Sequence, residues 1–285
     1  MCGPPSLWTM INPSDTNDPI VQVIAGSSID LDNFLATDGP PSDTQLVIIV
    51  ADPFAASEFF HFIINAVLEE LFGIKASSYQ NHRIQWREGI FGRVSQYIGT
   101  VKAQGWGPLH FHVVLWLEGA PTAERMRELL GKESFRKRVE RFIKTNIKAE
   151  IDGLGTQSIT DIPREKAVSY SRPVDPRTDD YDSLRSEAEK RLVRSLQIHR
   201  CSKEACLVKK KNGYHCKRNA PFEISTRDYI DANGSWGPKR THGYVNNWNP
   251  AIMQCVRSNH DIKLILNGAE TKDISWYITN YITKK

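Results

Sequence analysis

Apolar residues recur at helical spacing between residues 52 and 73, in the segment DPFAASEFFHFIINAVLEELFG. Asp52 suits the N-cap, Pro53 the first helical position and Gly73 the stop. The residues that mark the apolar face are Phe59, Phe60, Ile63, Val67 and Leu71. This pattern predicts a long helix that packs one side on a core.

Two runs of β-branched and aromatic residues predict a hairpin. The first is IFGRVSQYIGTVKAQ, residues 90–104, and the second is LHFHVVLWLEG, residues 109–119, with GWGP as the turn between them. The short apolar run LVIIV, residues 46–50, predicts a further strand.

The remaining patterns predict helices and irregular segments. APTAERMRELLG and SFRKRVERFIKTNIKAE read as two helices divided by Gly131, residues 181–197 as a charged amphipathic helix, and TKDISWYITNYITKK as a terminal helix. Residues 152–180 predict a loop, and residues 217–250 are mixed and rich in turns. The first 45 residues are rich in Pro, Asp, Ser and Asn, and predict an irregular layer packed on the body.

Composition narrows the class of protein. The 285 residues are 40% hydrophobic and 25% charged, which is typical of a globular chain with a sizeable core. No run approaches the roughly 18 apolar residues of a membrane span, and MCGPPSLW lacks the regions of a signal peptide, so an intracellular setting is favoured. The net charge of +4 is compatible with nucleic-acid binding without requiring it. A GxxxxGK[ST] phosphate loop does not occur, which argues against an NTPase.

His110 and His112 stand one residue apart in the second strand of the hairpin, so their side chains share one face. Two neutral imidazoles side by side can chelate a divalent cation; the alternative is a satisfied core histidine beside a chance neighbour. If the turn pairs residue 104 with residue 110, Gln104 lies opposite His110 and Lys102 opposite His112. The Gln104 carbonyl would then be a third ligand for Mg²⁺ or Mn²⁺.

Tyr277 and Tyr281 are four residues apart in the predicted terminal helix and share a face. They could equally be the edge of a core stripe formed by the neighbouring isoleucines. A two-histidine metal site and a tyrosine pair together, however, provide the groups needed to cleave a phosphodiester by covalent catalysis. A phenolic oxygen attacks the phosphate and the 3′ hydroxyl leaves.

Three cysteines lie within sixteen residues, in HRCSKEACLVKKKNGYHC. A tetrahedral Cys₃His zinc site would be formed by Cys201, Cys206 and Cys216, with His199 or His215 as the fourth ligand. His199 is preferred because His215 adjoins Cys216. The alternative is three reduced thiols in a surface insertion. The lysines in the loop that this site would brace, Lys209, Lys210 and Lys211, are either phosphate contacts or a solvated charge run.

Four blocks of sequence, in order, resemble the Rep nuclease of Helitron-type rolling-circle transposases, fungal ones in particular. They are GTVKAQGWGPLHFHVVLWLEGAP, QIHRCSKEAC with GYHCKRNAPFE, NNWNPAIMQCVRSNHDIK and SWYITNYITKK. PSLWTMINPSD and DPFAASEFF also look like Helitron-type sequence. The resemblance implies nicking and transfer of single-stranded DNA, with His110 and His112 as metal ligands and Tyr277 and Tyr281 as nucleophiles. Gln104 matches a glutamine often found at that place in the family.

The resemblance also implies the fold and its divisions. We expect an α+β chain of the HUH endonuclease type, with a mainly antiparallel sheet flanked by helices and a zinc-braced insertion. Residues 1–45 would be a flanking segment and 46–285 the Rep nuclease domain, which includes the zinc-binding insertion at 195–225 and the tyrosine helix at 270–285. Expected DNA contacts are Lys102, Lys209, Lys210, Lys211 and Lys284.

Two residues depart from the family pattern. Asn280 stands where the family commonly has lysine before the second tyrosine, and Trp106 where the turn often has arginine. Relatives continue into a helicase domain, whereas this chain ends four residues after Tyr281, so unwinding is expected from another protein or a missing domain. The implied location is the nucleus and the implied partner is single-stranded DNA. The competing hypotheses are a transposon relic that binds DNA without cutting it, and a zinc-braced binding module in which the histidines are structural.

Overall fold

The computed structural model describes residues 3–76, 84–103, 108–155, 157–163, 168–203, 206–266, 272–274 and 276. The helices are α1 (Pro19–Ile24), α2 (Ser42–Ala51), α3 (Pro53–Ala66, followed by a π-helical turn over Val67–Leu71), α4 (Ala123–Leu130), α5 (Glu133–Asn146), α6 (Tyr181–Leu196) and α7 (Pro250–Val256). A 3₁₀ turn covers Ile159–Asp161. The strands are β1 (Leu7–Asn12), β2 (Ile74–Ala76), β3 (Ile84–Trp86), β4 (Glu88–Gly89), β5 (Gly92–Ala103), β6 (Leu109–Leu117), β7 (Leu207–Lys210), β8 (Gly213–Cys216), β9 (Tyr229–Ile230), β10 (Trp236–Gly237) and β11 (Asn259–Leu264).

Five strands form an antiparallel sheet in the order β11-β1-β6-β5-β4. Three two-stranded ribbons, β2-β3, β7-β8 and β9-β10, lie outside it. The sheet together with its helices makes the chain an α+β protein, and this confirms the expected fold class.

One face of the sheet carries the main hydrophobic core. Alternate residues of the strands, such as Leu7, Val113 and Ile262, point into this core because side chains alternate across a strand. Helices α3, α4, α5 and α7 cover the face with residues such as Ile64 and Ile143. Burying this apolar area supplies the main driving force for folding, at roughly 25 cal/mol per Å².

The opposite face of the sheet has a smaller cluster of buried apolar residues and carries the histidines. Trp8, Met10, Val114 and Ile265 form a buried cluster there, against which the partly buried Ile274 packs. We call this surface the histidine face. Ile274 belongs to the short helical segment Lys272–Ile274, so the described part of the terminal segment contacts this face.

A second hydrophobic cluster lies around α6. Leu192 and Val193 of α6 pack with Ile198, Val245 and Trp248. A single backbone bridge joins Ile198 to Val245, so the chain leaving α6 is held against residues 242–248. This anchorage fixes the start of the cysteine-containing segment.

Two expectations for the first 50 residues were wrong. Residues 7–12 are not part of an irregular layer but form β1, an interior strand of the sheet that lies between β6 and β11. Residues 46–50 are not a strand but lie in α2, where Gln45 and Ile49, one helical turn apart, are buried. A short apolar run such as this one is compatible with either a strand or a helix. In the structure it is helical, which buries positions i and i+4 on one face.

The other predicted elements are confirmed, with small changes at their ends. Helix α3 begins where Asp52 accepts a hydrogen bond from the Ala55 N–H at 3.0 Å, and the hairpin, α4, α5 and α6 lie where the sequence predicts them. Residues 277–285, the greater part of the predicted terminal helix, lie outside the described residues.

Within the described ranges, no single helix has both the length and the apolar character to cross a membrane. The bent pair α2 and Pro53–Leu71 meets that test jointly, on length and composition alone.

Candidate functional site

His110 and His112 lie on β6, at the centre of the histidine face. Their exposed fractions are 7% and 5%, whereas the intervening Phe111 is buried in the main core. Gly99 of β5 makes room for the Phe111 ring, because a Cβ at Gly99 would lie 2.5 Å from Phe111 Cε2. The alternation that buries Phe111 on one side therefore directs both imidazoles to the other.

The hairpin register differs from the prediction by two residues. Lys102 lies opposite His110, and Thr100 opposite His112, whereas Gln104 and Lys102 were expected there. Within the described residues, the pairing ends at Ala103 and Leu109. A shift of two residues keeps the same face, so Lys102 still shares the surface of the histidines. Gln104, the expected third ligand, lies outside the described residues.

Both imidazoles are neutral at pH 7. Burial, with help from Arg218 and Lys102, lowers the pKa of His110 to about 4. Burial, followed by His110, Lys102 and Arg218, lowers the pKa of His112 to about 4. A neutral imidazole has the free lone pair that a metal ion needs.

Neither ring nitrogen of His110 has a hydrogen-bond partner among the described residues, although both are buried. An unpaired buried polar atom costs about 1–3 kcal/mol. A satisfied core histidine would have a donor or acceptor at one nitrogen at least. The orphaned His110 nitrogens therefore fit a site that takes a ligand, and a divalent cation meets that requirement.

Two neighbouring strands complete the surroundings of the pair. Met10 of β1 lies opposite both His112 on one side and Asp261 of β11 on the other, so all three share the histidine face. The Trp8 ring lies 5.9 Å from the His112 ring, centroid to centroid. Burial raises the pKa of the Asp261 carboxyl, against the opposing effects of Lys263, Arg240 and Arg218.

Sequence reasoning missed Asp261 as a member of this face. The signal was present in the block NNWNPAIMQCVRSNHDIK, which ends in β11. The pairing of β11 with β1 could not be inferred from that block alone.

Tyr277, Tyr281 and Lys284 lie outside the described residues, as does Asn280. The nearest described residue with a buried contact is Ile274, which packs on the histidine face three residues before Tyr277.

The structure brings His199 and the three clustered cysteines together. His199 Nε2 lies 3.2 Å from Cys216 Sγ, 3.3 Å from Cys201 Sγ and 3.5 Å from Cys206 Sγ. All four ligand atoms are within 4.8 Å of one another. Four soft donors at these separations suit one tetrahedral ion, and zinc is the usual occupant of a Cys₃His set. His215, the alternative ligand, is exposed on β8 opposite Val208 and is not a member of the group.

Local backbone contacts hold this cluster. The His199 N–H donates to the Tyr244 carbonyl at 2.7 Å, and Leu207 pairs with Cys216 across the β7-β8 ribbon. Cys206 and Cys216 therefore both lie at the base of a hairpin. Lys209, Lys210 and Lys211 lie toward its exposed tip.

The thiols of the cluster titrate unequally. Burial, then Cys216 and Cys206, raises the pKa of Cys201 to about 12. Burial also acts to raise the pKa of Cys216, but the backbone N–H groups of Ala220 and Arg218 outweigh it and the pKa is lowered. Cys216 therefore supplies a thiolate to an incoming metal ion more readily than Cys201 does.

Arg218 connects the two candidate centres. Its backbone N–H lies 3.3 Å from Cys216 Sγ, and its positive charge lowers the pKa of His110, His112 and His199 alike.

Comparison with known proteins bears on the first part of the chain. Residues 1–115 match the family model described as "Helitron helicase-like domain at N-terminus". No curated protein and no solved structure matches the chain. The matched residues contain β1, β5 and most of β6, including both histidines. The resemblance to Helitron-type transposases is confirmed over that range, residues 1–115.

Proposed function

We propose that this protein is a metal-dependent endonuclease and strand transferase for single-stranded DNA, of the rolling-circle type used in Helitron transposition. One observation carries the proposal. The buried His110, whose two nitrogens lack partners among the described residues, stands beside His112 on the sheet face that the terminal segment contacts. The family match over residues 1–115 supports a transposition-related role.

The histidine pair would hold the divalent cation, Mg²⁺ or Mn²⁺. Both imidazoles are neutral well below pH 7, so they bind a cation without first losing a proton. When bound, the cation polarises the scissile phosphate and offsets charge developing on it. Asp261 lies on the same face and is available as an oxygen ligand in addition to, or in place of, Gln104.

The nucleophile would come from the terminal segment. Tyr277 follows Ile274 by three residues in the sequence, and three residues of chain span at most about 11 Å. The phenolic oxygen would form a bond to phosphorus while the bond from phosphorus to the 3′ oxygen breaks. The phenolic proton is balanced by the one gained by the 3′ hydroxyl, and the 5′ end stays on the tyrosine. Tyr281 would permit a second transfer before the first end is released.

The Cys₃His cluster would hold structural zinc. The ion would brace the β7-β8 hairpin, whose exposed residues Lys209, Lys210 and Lys211 would contact the phosphates of the DNA strand, as would Lys102 and Lys284. Single-stranded transposon ends would be the substrate, exposed in the nucleus by a helicase activity in trans or in a further domain.

A labelled pool of random-sequence single-stranded DNA tests the reaction. Incubation of the purified protein with this pool and Mn²⁺ should yield a covalent protein–DNA adduct that survives denaturing electrophoresis. The His110→Ala variant should lose the adduct, and Tyr277→Phe with Tyr281→Phe should abolish it. His61→Ala is the matched control, because His61 is exposed on α3.

Two outcomes would decide against the proposal. An adduct that persists in the double tyrosine variant would remove the assigned nucleophiles. Absence of an adduct for the folded wild type with Mn²⁺ or Mg²⁺, together with DNA binding by fluorescence anisotropy, would instead establish a protein that binds DNA without cutting it.

A further inference from the structure

A cavity of about 250 Å³ lies at one end of the main sheet, beneath helices α4 and α5. Its walls are formed by the residues that lead into β1, those at the end of β6 and those at the end of β11: Pro4–Ser6, Leu117–Pro121 and Leu264–Leu266. The helices close it with Met126 of α4 and with Phe135, Arg138, Val139 and Phe142 of α5. Sites for drug-sized ligands measure roughly 300–1,000 Å³, so this cavity suits one small ring system rather than a helix of a partner protein.

The lining of the cavity is mainly apolar, and its uncharged and acidic side chains already have partners. Ser6 Oγ accepts a hydrogen bond from the Leu117 N–H at 3.2 Å, and Glu118 pairs with Arg93 at 3.1 Å. The three prolines of the walls have no backbone N–H to offer. The two phenylalanine rings of α5 are only partly buried. Such a lining favours a flat, uncharged ring through stacking and apolar contact, and it does not select one pattern of hydrogen bonds.

Arg138 lines the cavity and also belongs to a cationic face of α5. The helix carries five basic residues and two acidic ones, a net charge of +3. Its exposed basic residues are Lys137, Arg138, Arg141 and Lys144. At about 100° per residue, Arg141 is the next of these around the helix from Arg138, and the two lysines lie beyond it. The cationic face therefore begins at the edge of the cavity and continues over the outside of α5.

Three of these four cations have no acidic partner among the described residues; the exception is Lys137, which pairs with Glu133 at 2.7 Å. The guanidinium carbon of Arg138 lies 5.5 Å from the centroid of the Phe135 ring, so its charge is held beside the apolar lining. Unpaired cations next to an apolar cavity complement a ligand that joins anionic groups to a flat ring. The phosphates and bases of a single nucleic-acid strand have this combination.

We propose that the cavity takes one base of the single-stranded DNA, and that Arg138 and Arg141 bind the adjoining phosphates. The contact would hold the strand whatever its sequence. Five residues of β6 separate His112 from Leu117, about 17 Å along the strand. The base in the cavity would therefore lie a few nucleotides from a phosphate bound at the histidines. This inference rests on the proposed function in one respect, namely that single-stranded DNA is the substrate.

Two DNA probes of equal length and charge separate the role of the base from that of the phosphates. One is a fluorescein-labelled oligothymidylate, and the other is a labelled oligomer with the same phosphodiester backbone and no bases. Binding of each probe is measured by anisotropy without divalent ions, at several salt concentrations.

The test variants are Ala120→Trp, which fills the cavity from an exposed position of its lining, and Arg138→Ala. Their matched controls lie outside the lining: Ala51→Trp, at an exposed alanine of α2, and Arg177→Ala, at an exposed arginine that pairs with Asp175. Thermal melting establishes that each variant is folded.

For Ala120→Trp we expect the affinity for oligothymidylate to fall by about fivefold or more, as for the loss of one stacked base, and the affinity for the baseless oligomer to stay at the wild-type value. Arg138→Ala should lower the salt dependence of binding by about 0.7 in slope for both probes, the value of one phosphate contact on a single strand. Both control variants should bind the two probes as wild type does.

A folded Ala120→Trp variant that binds both probes as wild type does would overturn the inference, and so would an equal loss for the two probes. A lower melting temperature with an unchanged preference for oligothymidylate would mean that part of the protein, rather than a base, fills the cavity. An unchanged slope in Arg138→Ala would also decide against the inference. Failure of the proposed function is a separate result, because wild type would then bind oligothymidylate without forming an adduct, and the two probes would still test the cavity.

Discussion

Mn²⁺ binding to His110 and His112 is expected to be almost independent of pH between about 7.5 and about 5.5. A proton and a metal ion compete for the same imidazole lone pair, so a histidine of ordinary pKa 6.5 loses affinity as pH falls below that value. Burial and the cationic neighbours hold the pKa of each ring at about 4, so both stay neutral across this range. Burial makes an imidazole without a hydrogen-bond partner energetically costly, and the same burial keeps both rings from being protonated at mildly acidic pH.

The magnitude follows from the two pKa values. A pair of histidines with ordinary pKa would lose affinity by roughly 120-fold at pH about 5.5, whereas a pair with pKa about 4 would lose less than about 10%. Even a pKa one unit higher would cost less than about twofold.

Titration of zinc-loaded protein with Mn²⁺, followed by the electron paramagnetic resonance of free Mn²⁺, measures this directly. The double variant His110→Ala, His112→Ala provides the background at each pH. A fall in affinity of more than about tenfold at the lower pH would refute the reasoning, because it would mean that the rings titrate as exposed histidines do.

Three further predictions concern stability and metal content. Burial lowers the pKa of the fully buried His260 from 6.5 to about 4, so the neutral ring stabilises the fold fully above pH 6.5 and this stabilisation is lost as the pH falls toward 4. The free energy of unfolding, measured in urea, should therefore drop by about 2–3 kcal/mol or more at pH about 4.5, and an unchanged value would contradict the burial argument. Gly99→Ala should destabilise the protein by about 1–3 kcal/mol, because the added Cβ would meet the Phe111 ring at 2.5 Å. The control Gln96→Ala, at an exposed residue of the same strand, should change the urea midpoint little, and equal midpoints for the two variants would show that the ring moves freely. Cys206→Ser should lose the bound zinc, as measured by plasma mass spectrometry, and should have a lower melting temperature. Cys255→Ser, at an exposed cysteine outside the cluster, should keep the zinc content and melting temperature of wild type, and retention of zinc by Cys206→Ser would remove the Cys₃His assignment.

The sequence predicts local elements well and distant pairings poorly. Helix α3 and the β5-β6 hairpin follow from signals contained within each segment, namely the Asp52 cap and the alternation around His110. Strand β1 has its partners in β6 and β11, far along the chain, and its own residues carry no sign of them. The helical reading of residues 46–50 could be chosen only from the neighbours that bury Ile49.

The same limit applies to the candidate site. The members of each ligand set lie close in sequence, so spacing alone suggests His110 with His112 and His199 with the cysteines. The backbone contacts that hold the cysteine cluster are less accessible to sequence reasoning, because the bond from the His199 N–H to the Tyr244 carbonyl joins residues far apart in the chain. The register expected from the GWGP turn was wrong by two residues, because turn chemistry alone does not determine which residues pair.

The position of β1 inside the sheet, between β6 and β11, has a consequence for the synthesis of the protein. The hydrogen bond from Thr9 Oγ1 to the Asp261 carbonyl joins residues 252 positions apart. At about 5–20 residues per second, a ribosome would deliver β11 roughly 13–50 s after β1. Throughout that interval Leu7 and Ile11 have no completed sheet to enter, and the apolar strand stays open to mispairing. Chaperones that bind the nascent N-terminal strand should therefore raise the yield of folded protein in cells.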